Sequence, residues 1–327
     1  MKSKIGIIIL NWNGSADTIE CLESLKMSEL YDIYLLDNGS EQEDVENIRK
    51  YLWSSKYRNC INEVEINQEF NYSKFNFIIA KKNLGFAGGN NAIAMKIFQK
   101  YECILLLNND TVVPENTIHS MYTFLLKKNC ISVTCDIRYY YDRSKLWNAG
   151  GRFTWYKDRK YYPQRYIDNL KKTNVDFIFA DFITGCAMLI DSNYVKKFGL
   201  FTDRFFHGEE DYNFCLYAKR RGCKIGVDLT STLYHKVGGT LKPERDRDRY
   251  FNAVTVYYCN RIIDYKLLLE QCEWIRWRRV YIFLIFIKRS MNMGLVRAYA
   301  LCKRVKTISD AYDSVDKSLF DSIMKGK

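Results

Sequence analysis

Four groups of polar residues have the chemistry needed to bind and activate a charged substrate. The first is Asn108-Asn109-Asp110, which directly follows an apolar run at residues 104–107. Mg²⁺ and Mn²⁺ prefer oxygen ligands, and one or two carboxylates are enough when substrate phosphates complete the coordination. Asp110 is therefore a candidate ligand for a metal-bound diphosphate. The alternative is that residues 108–111 form a turn and cap the next helix.

The other three groups are Asp37, the acidic run 209–211 and His235. Asp37 ends a second apolar run, where it can accept hydrogen bonds from a nucleobase or ribose, or cap a helix. Apolar neighbours of Glu210 and Asp211 predict partial burial, which suits a general base. A solvated helix start is the ordinary interpretation of such a run. His235 precedes a glycine-rich segment and is either structural or a metal ligand.

Apolar runs predict the elements that position these residues. Strands are expected at residues 5–10, 33–36, 75–80, 104–107 and 131–137. The first four are each followed by a polar loop and a helical pattern, which predicts a parallel, doubly wound sheet with right-handed crossovers. The loops after the strands should then face one crevice. Residues 51–71 lack a clear pattern and are interpreted as an insertion.

Glycines cluster after the third predicted strand, at Gly85, Gly88 and Gly89. A dinucleotide-binding fingerprint follows the first strand instead, so this spacing argues against a nicotinamide-dependent enzyme. Glycines here allow the backbone to approach a ligand closely. The alternative is that they serve an ordinary turn and helix packing.

The composition limits the function classes. The chain has 327 residues, 47% of them hydrophobic, and a net charge of +12. From residue 241 onward there are 18 Lys/Arg and 10 Asp/Glu, so most of the positive excess is C-terminal. Such a region suits nucleic acid, an anionic membrane or an acidic substrate as a binding partner.

Two further features limit the class of protein. Eleven cysteines without C-x-x-C spacing indicate reduced thiols. The longest apolar run, residues 280–287, is too short to span a membrane.

Aromatic and apolar residues recur at helical spacing near the C-terminus. They are Trp274, Trp277, Tyr281, Leu284 and Ile285, with arginines interleaved. The pattern predicts either a helix packed on the rest of the chain or an interfacial helix lying on an anionic leaflet.

Seven motifs occur in one order along the chain. They are LNWN at 10–13, LDNGS at 36–40, NLGFAGGN at 83–90, LNND at 107–110, TGCA at 184–187, EDYN at 210–213 and His235. Together they resemble the motifs of family 2 inverting glycosyltransferases with the GT-A fold. The likeness covers residues 4–260 and is greatest to the bacterial rhamnosyltransferase-like branch.

The resemblance implies a domain organisation. Residues 1–245 would form a GT-A catalytic domain with a Rossmann-like, mostly parallel central sheet flanked by helices. Its nucleotide-binding half would be about 1–112 and its acceptor and catalytic half about 113–245. Residues 246–327 would form a basic, helical C-terminal extension.

The resemblance also implies roles for individual residues. Asp211 would be the catalytic base with Glu210 beside it, and Asp110 and His235 would hold a divalent metal, Mg²⁺ or Mn²⁺, on the donor diphosphate. The donor-binding residues would be Asn11, Asn13, Asp37, Asn83, Gly85, Gly88, Asn90, Asn108 and Asn109. The acceptor-binding residues would be Thr184, Gly185, Cys186 and His207.

The implied reaction moves a sugar from a nucleotide-diphosphate donor, dTDP-rhamnose in that branch, to a glycan or lipid-linked glycan acceptor in bacterial surface polysaccharide assembly. The protein would be cytoplasmic, or peripheral on the inner face of the cell membrane through its C-terminal helices. No nucleic-acid partner is expected, and the sequence leaves the oligomeric state open. The alternatives are a sugar-nucleotide nucleotidyltransferase and a basic nucleic-acid-binding protein.

Two residues depart from the family pattern. Asn108 replaces the first carboxylate of an Asp-x-Asp metal motif, and Asn213 replaces the last carboxylate of a Glu-Asp-x-Asp motif. These changes predict weaker metal binding and an altered acceptor contact. A catalytically inactive homologue is the alternative.

Overall fold

The protein is a layered α/β structure with a group of helices at its C-terminal end. The computed structural model describes residues 4–70, 72–237 and 246–326. The strands are β1 (Ile5–Asn11), β2 (Tyr31–Asp37), β3 (Ile61–Glu65), β4 (Phe75–Ile79), β5 (Cys103–Asn108), β6 (Thr111–Val112), β7 (Ser132–Tyr139), β8 (Leu146–Asn148), β9 (Gly151–Phe153), β10 (Arg159–Tyr161), β11 (Phe177–Ala180), β12 (Ala187–Asp191) and β13 (Ile225–His235).

Helices cover both faces of the sheet and form the C-terminal group. They are α1 (Ser15–Ser24), α2 (Gln42–Ser54), α3 (Gly85–Ile97), α4 (Thr117–Lys128), α5 (Gln164–Lys172), α6 (Ser192–Phe198), α7 (Glu210–Arg220), α8 (Arg247–Leu268), α9 (Gln271–Met293), α10 (Leu295–Ala311) and α11 (Lys317–Met324). The predicted glycine pair at 238–239 and the predicted boundary between residues 245 and 246 lie outside the described residues.

The first half of the sheet is parallel because its strands are apolar on both faces. β1 and β2 are buried along almost their whole length, as expected of strands covered by helices on each side. The strand order is β11-β13-β7-β12-β5-β1-β2-β4-β3. The α/β fold class is therefore confirmed, with a central, mostly parallel sheet, flanking helices and helices at the C-terminus.

Residues 51–71 are not an insertion, contrary to the sequence prediction. They contain the end of α2 and the edge strand β3, which pairs in parallel with β4; Asn71 lies outside the described residues. An edge strand has a weak apolar pattern because only one side chain of β3, that of Val64, is buried. The sequence therefore gave no periodic signal for this strand.

The second half of the sheet contains an antiparallel strand in a central position. β12 lies between β5 and β7 and runs antiparallel to both. Its pairing with β5 places Ala187 beside Leu107, so the turn before β12 sits at the end of β5 where the polar residues begin. This pairing brings residues 184–186 into the crevice at the carboxyl ends of the parallel strands.

The C-terminal helices have a core of their own. Residues of α8 to α11 form a hydrophobic cluster that also includes Phe205, so the helices pack on the segment ahead of α7. Trp274, Tyr281 and Ile285 of α9 are buried in this cluster, and the Trp274 indole donates to the carbonyl of Ile262 at 3.0 Å. This face of α9 packs inward. Within the described residues, no helix combines the length and apolarity that a membrane span requires.

The chain turns sharply at Gly85, whose backbone is left-handed with a φ of +76°. A Cβ atom at this position would overlap the carbonyl oxygen of Phe206. Gly222 is also left-handed, with a φ of +72°, but a Cβ there would meet no atom within 4 Å. A side chain at Gly222 would therefore introduce backbone strain alone, whereas a side chain at Gly85 would introduce both strain and steric overlap.

We expect Gly222→Ala to lower the free energy of unfolding by about 1–2 kcal/mol through strain alone. Gly85→Ala should cost roughly 1–3 kcal/mol more because the Phe206 carbonyl must also move. Urea unfolding of both variants measures the difference. Equal losses would show that the approach of residues 85 and 206 is not tight.

Candidate active site

The polar residues that end β1, β2 and β5 lie side by side. Asn11 is paired with Asp37 in the β1–β2 register, and Leu10 is paired with Asn108 in the β1–β5 register. The predicted crevice is therefore present at the carboxyl ends of these strands, as in other open α/β sheets. The remaining site residues reach it from α1, α3, α7, β12 and β13.

A chain of hydrogen bonds joins three of the predicted donor-binding residues. Asn109 Nδ2 donates to Thr18 Oγ1 at 2.9 Å, and Thr18 donates to Asn11 Oδ1 at 2.8 Å. Asn11 Nδ2 then donates to the Asp37 carboxylate at 2.8 Å. Asn11 and Asp37 are fully buried. Their side chains hold β1, β2 and α1 together, and their contacts with a nucleoside remain a prediction.

Asn38 organises the start of α3, a role that the sequence did not suggest although Asn38 lies within the LDNGS motif. Its Oδ1 accepts from the Leu84 N–H at 3.0 Å, and its Nδ2 donates to the Gly85 carbonyl at 3.1 Å. Asn83 Oδ1 accepts from the Gly85 N–H at 2.8 Å. The side chains of residues 38 and 83 thus fix the turn beside the strand ends.

The predicted glycine loop is the first part of α3 rather than a loop. Gly88 lies in this helix close to Leu84, and Asn90 is buried with its Nδ2 donating to the Phe86 carbonyl at 2.9 Å. Small residues here let the helix approach the sheet, which is the helix-packing alternative. Asn13 is exposed, and its Oδ1 accepts from the Glu41 N–H at 2.8 Å.

Asp110 and His235, the predicted metal ligands, are in direct contact. His235 Nε2 lies 2.9 Å from Asp110 Oδ1. His235 is the last residue of β13 and is paired with Thr111 of β6, so strand pairing sets this contact. Trp147 packs edge-on against the imidazole, with ring centroids 4.3 Å apart. The imidazole Nδ1 is buried and has no hydrogen-bond partner among the residues that the structure describes.

Asp110 and His235 could bind a divalent cation whose remaining coordination positions are filled by water or substrate. Two ligands at adjacent corners of an octahedron with bonds of about 2.1 Å lie roughly 3 Å apart, close to the observed separation of Asp110 and His235. Within the described part of the chain, no group of three or more His, Cys, Asp or Glu side chains could hold a metal ion. A partner atom for Nδ1 usually supports a ligating histidine, and none is present here. The protein alone therefore offers a weak site.

Asp211 occupies the first turn of α7 and faces the turn before β12. Its Oδ2 accepts from the Gly185 N–H at 3.0 Å. Burial raises the pKa of Asp211 to about 7, and the neighbouring charge of Glu210 adds to the increase. Glu210 itself is buried, and its carboxylate turns back to accept from the N–H groups of Gly208 and Glu209. Asp211 is thus a carboxylate that can exchange a proton near neutral pH, and it is the one that contacts the turn before β12.

A short backbone path joins Asp211 to Asp110. Gly185 donates to Asp211, and the carbonyl of the next residue, Cys186, accepts from the Asn108 N–H at 2.8 Å. Asn108 is two residues before Asp110. The charges of Asp110 and Asp211 both raise the pKa of the buried Cys186 thiol, which burial raises most. The candidate base and the candidate metal ligand therefore flank the same turn.

Two other predicted acceptor residues differ in their placement. Thr184 is buried, and its hydroxyl accepts from the Cys186 N–H at 3.3 Å, which shapes the turn. His207 has an exposed side chain, and its carbonyl accepts from Asn260 of α8 at 2.9 Å. The structure places His207 against the C-terminal helices, and its contact with an acceptor stays a prediction.

A buried ion cluster of Arg159, Glu209 and Arg261 lies beneath α7. Arg159 of β10 forms an ion pair with Glu209, and Arg261 of α8 lies 3.8 Å from the other oxygen of that carboxylate. The Arg159 guanidinium also stacks 3.2 Å from the ring centroid of Tyr212. Sequence reasoning missed this cluster because its members are far apart in the chain. It ties the start of α7 to the C-terminal helices.

Asn213, the departure in the EDYN motif, points away from the turn before β12. Its Nδ2 donates to Asp264 Oδ1 at 2.5 Å. Burial and the charge of Glu209 raise the pKa of Asp264 to about 7. The position that carries a carboxylate in the family pattern therefore supplies an amide to a carboxylate from α8.

Comparison with known proteins gives one family and a shared fold. The profile described as Glycosyl transferase family 2 matches residues 6–195. A crystal structure of GalNAc-T7 with UDP, GalNAc and Mn²⁺ is similar, with a TM-score of 0.57 and 14% sequence identity. The similarity covers 89% of this chain and 59% of that chain, so this chain spans less than two thirds of its length. A search of curated proteins found no match.

Arg159→Met should leave Glu209 buried beside a more distant arginine, so we expect a loss of about 3–5 kcal/mol in the free energy of unfolding. Adding Glu209→Gln should recover part of this loss. Urea unfolding at neutral pH measures both, with the exposed Arg165→Met as the matched control. A loss below about 1 kcal/mol for Arg159→Met would contradict a structural role for the cluster.

Proposed function

The chain belongs to glycosyl transferase family 2 and is a glycosyltransferase, and on that premise we propose that it transfers a sugar from a nucleotide-diphosphate donor with inversion, using Asp211 as the general base. The observation that carries the proposal is the backbone path from Asp211 through Gly185 and Cys186 to Asn108 and Asp110. It supports a base on one side of a reacting sugar and a site for the diphosphate on the other.

The proposed donor occupies the crevice at the ends of β1, β2 and β5. The GalNAc-T7 structure contains UDP and Mn²⁺, which supports a nucleotide-sugar and a divalent cation in this chain as well. We assign the nucleoside to the side of Asn11 and Asp37, and the sugar and diphosphate to the side of Asn108 and Asp110. Asn11 and Asp37 are fully buried and bonded to each other, so we assign them the role of fixing the strand ends that line this side of the site.

Sugar transfer requires stabilisation of opposite charges on the two sides of the bond that breaks. Departure of the diphosphate leaves positive charge at the anomeric carbon and negative charge on phosphate. A divalent cation at Asp110 and His235 would supply positive charge for the leaving diphosphate. Asp211 takes the proton of the attacking hydroxyl, and attack on the face opposite the leaving group inverts the anomeric configuration.

Asp211 suits this role because its raised pKa makes it a stronger base than an ordinary carboxylate. A carboxylate with an ordinary pKa is a weak base, whereas burial raises the pKa of Asp211 to about 7. The Gly185 N–H holds one carboxylate oxygen in place. Asp211 and His235 both lie beyond the residues that the family profile matches, so their roles rest on this geometry.

The finer assignments are also part of the proposal. We propose a glycan or lipid-linked glycan acceptor in bacterial surface polysaccharide assembly, with dTDP-rhamnose as the first donor to test. We further propose that residues 1–245 and 246–327 act as catalytic and C-terminal units in a cytoplasmic or peripheral membrane protein. Family membership supports neither the nucleotidyltransferase nor the nucleic-acid-binding alternative.

The activity should depend on the ionisation of Asp211. Because the carboxylate must be deprotonated to accept a proton, kcat should fall as pH drops below about 7 and level off above it. Asp211→Asn should lower transfer at least about 100-fold while nucleotide affinity changes less than about twofold. Nucleoside diphosphate release measures transfer, and calorimetry measures nucleotide binding.

The exposed Asp203→Asn is the matched control for this experiment. A raised pKa in the folded state also means that ionised Asp211 opposes folding, so stability falls as pH rises from about 4 to about 7. Asp211→Asn should therefore remain folded at pH 8. Full transfer activity in this variant would exclude Asp211 as the base.

Metal binding should depend on the donor. We expect Mn²⁺ to bind the free protein weakly, because the described residues offer two ligands and none of them is a hydrogen-bond partner for His235 Nδ1. Adding a nucleoside diphosphate should raise the affinity at least about tenfold. Asp110→Asn and His235→Gln should remove this gain without changing nucleotide affinity in EDTA. Calorimetry measures each case, and tight Mn²⁺ binding without nucleotide would contradict the proposed site.

A further inference from the structure

Exposed apolar side chains lie on the outer surface of α9 and in the first turn of α10. This apolar patch consists of Val280, Phe283, Ile287, Met291, Leu295 and Val296. Phe283 is 61% exposed, Met291 81% and Val296 84%. Soluble monomers rarely expose contiguous apolar surface of this kind without a partner.

The patch is a different face of α9 from the one that packs inward. Val280, Phe283, Ile287 and Met291 follow helical spacing and share one side of α9. The buried Tyr281 lies on the other side. Packing of α9 on the protein core therefore leaves the patch uncovered. The sequence pattern left a packed helix and an interfacial helix open, and Trp274, Tyr281 and Ile285 of the face that it named are buried.

The segment of chain that carries the patch has an excess of positive charge, although Asp248 of α8 lies 3.4 Å from Arg297 beside it. Between Glu273 and Asp310 the chain contains nine Lys/Arg and no Asp/Glu. Arg279 and Lys288 are exposed and fall roughly 100° and 80° to either side of Val280 around the helix axis. Basic side chains thus border the apolar stripe on both edges, which is the distribution of a helix lying in a membrane interface.

We propose that the apolar patch inserts into the headgroup region of an anionic lipid bilayer, with Arg279 and Lys288 contacting lipid phosphates. A second copy of the chain is a poorer occupant, because a two-fold contact would bring the same positive borders together. Nucleic acid would satisfy the basic borders and leave the apolar stripe exposed to water. This inference deepens the peripheral-membrane part of the proposed function, and it does not depend on the catalytic assignments because the surface is separate from the strand ends.

Vesicle flotation of the full-length chain tests the proposal. We expect binding to vesicles with about 30% anionic phospholipid and little binding to zwitterionic vesicles. Phe283→Ser with Ile287→Ser should lower binding at least about tenfold by removing apolar contact. Arg279→Glu with Lys288→Glu should lower binding to the anionic vesicles by about the same factor.

Two exposed residues of the catalytic part provide matched controls. Leu126→Ser on α4 and Arg165→Glu on α5 should leave vesicle binding unchanged. Thermal unfolding checks that every variant is folded, and light scattering gives the oligomeric state. Absence of binding by the unaltered chain, or equal binding by the patch variants, would overturn the proposal. So would a dimer that the Phe283 and Ile287 changes dissociate without altering vesicle binding.

Discussion

The hydrogen bond from the Gly185 N–H to the Asp211 carboxylate is the contact on which the site depends. It joins α7 to the turn before β12, and the pairing of β12 with β5 then fixes the distance from that turn to Asp110. A side chain at residue 185 would crowd the Phe86 ring, since a Cβ there would lie 3.0 Å from it. A glycine and an antiparallel strand thus position the proposed base, Asp211, although it lies far in sequence from the proposed metal ligand, Asp110.

Holding carboxylates in this buried region requires compensating charge. Glu209 lies between Arg159 and Arg261, while Asp211 and Asp264 have pKa values raised to about 7 by burial. Partial protonation of Asp211 and Asp264 reduces the buried negative charge. The two arginines neutralise the negative charge of Glu209. Because Arg261 and Asp264 belong to α8, the C-terminal helices complete the electrostatic surroundings of the base. These helices lie outside residues 6–195, to which the family profile extends.

The sequence predicted the parts of the fold that depend on local pattern. Apolar runs ending in polar residues located the strands whose ends meet at one edge of the sheet. Strand pairing places His235 against Asp110, and their role as metal ligands stays a prediction. The sequence could not reveal β3, whose edge position buries only Val64, or the pairing of Arg159 with Glu209 across 50 positions. Helical periodicity identified α9 as amphipathic. It could not show which face of α9 is exposed to solvent, because the exposed face depends on which other helices pack against α9.

The anomeric configuration of the transferred sugar tests the central claim most directly. A panel of nucleotide-diphosphate-sugars can be screened with Mn²⁺ for nucleoside diphosphate release, and the sugar delivered to water or to an acceptor can then be followed by NMR at early times. A base opposite the leaving diphosphate predicts a product whose anomeric configuration is inverted relative to the donor. Retention of configuration would contradict the assignment of Asp211 and the single-displacement mechanism built on it.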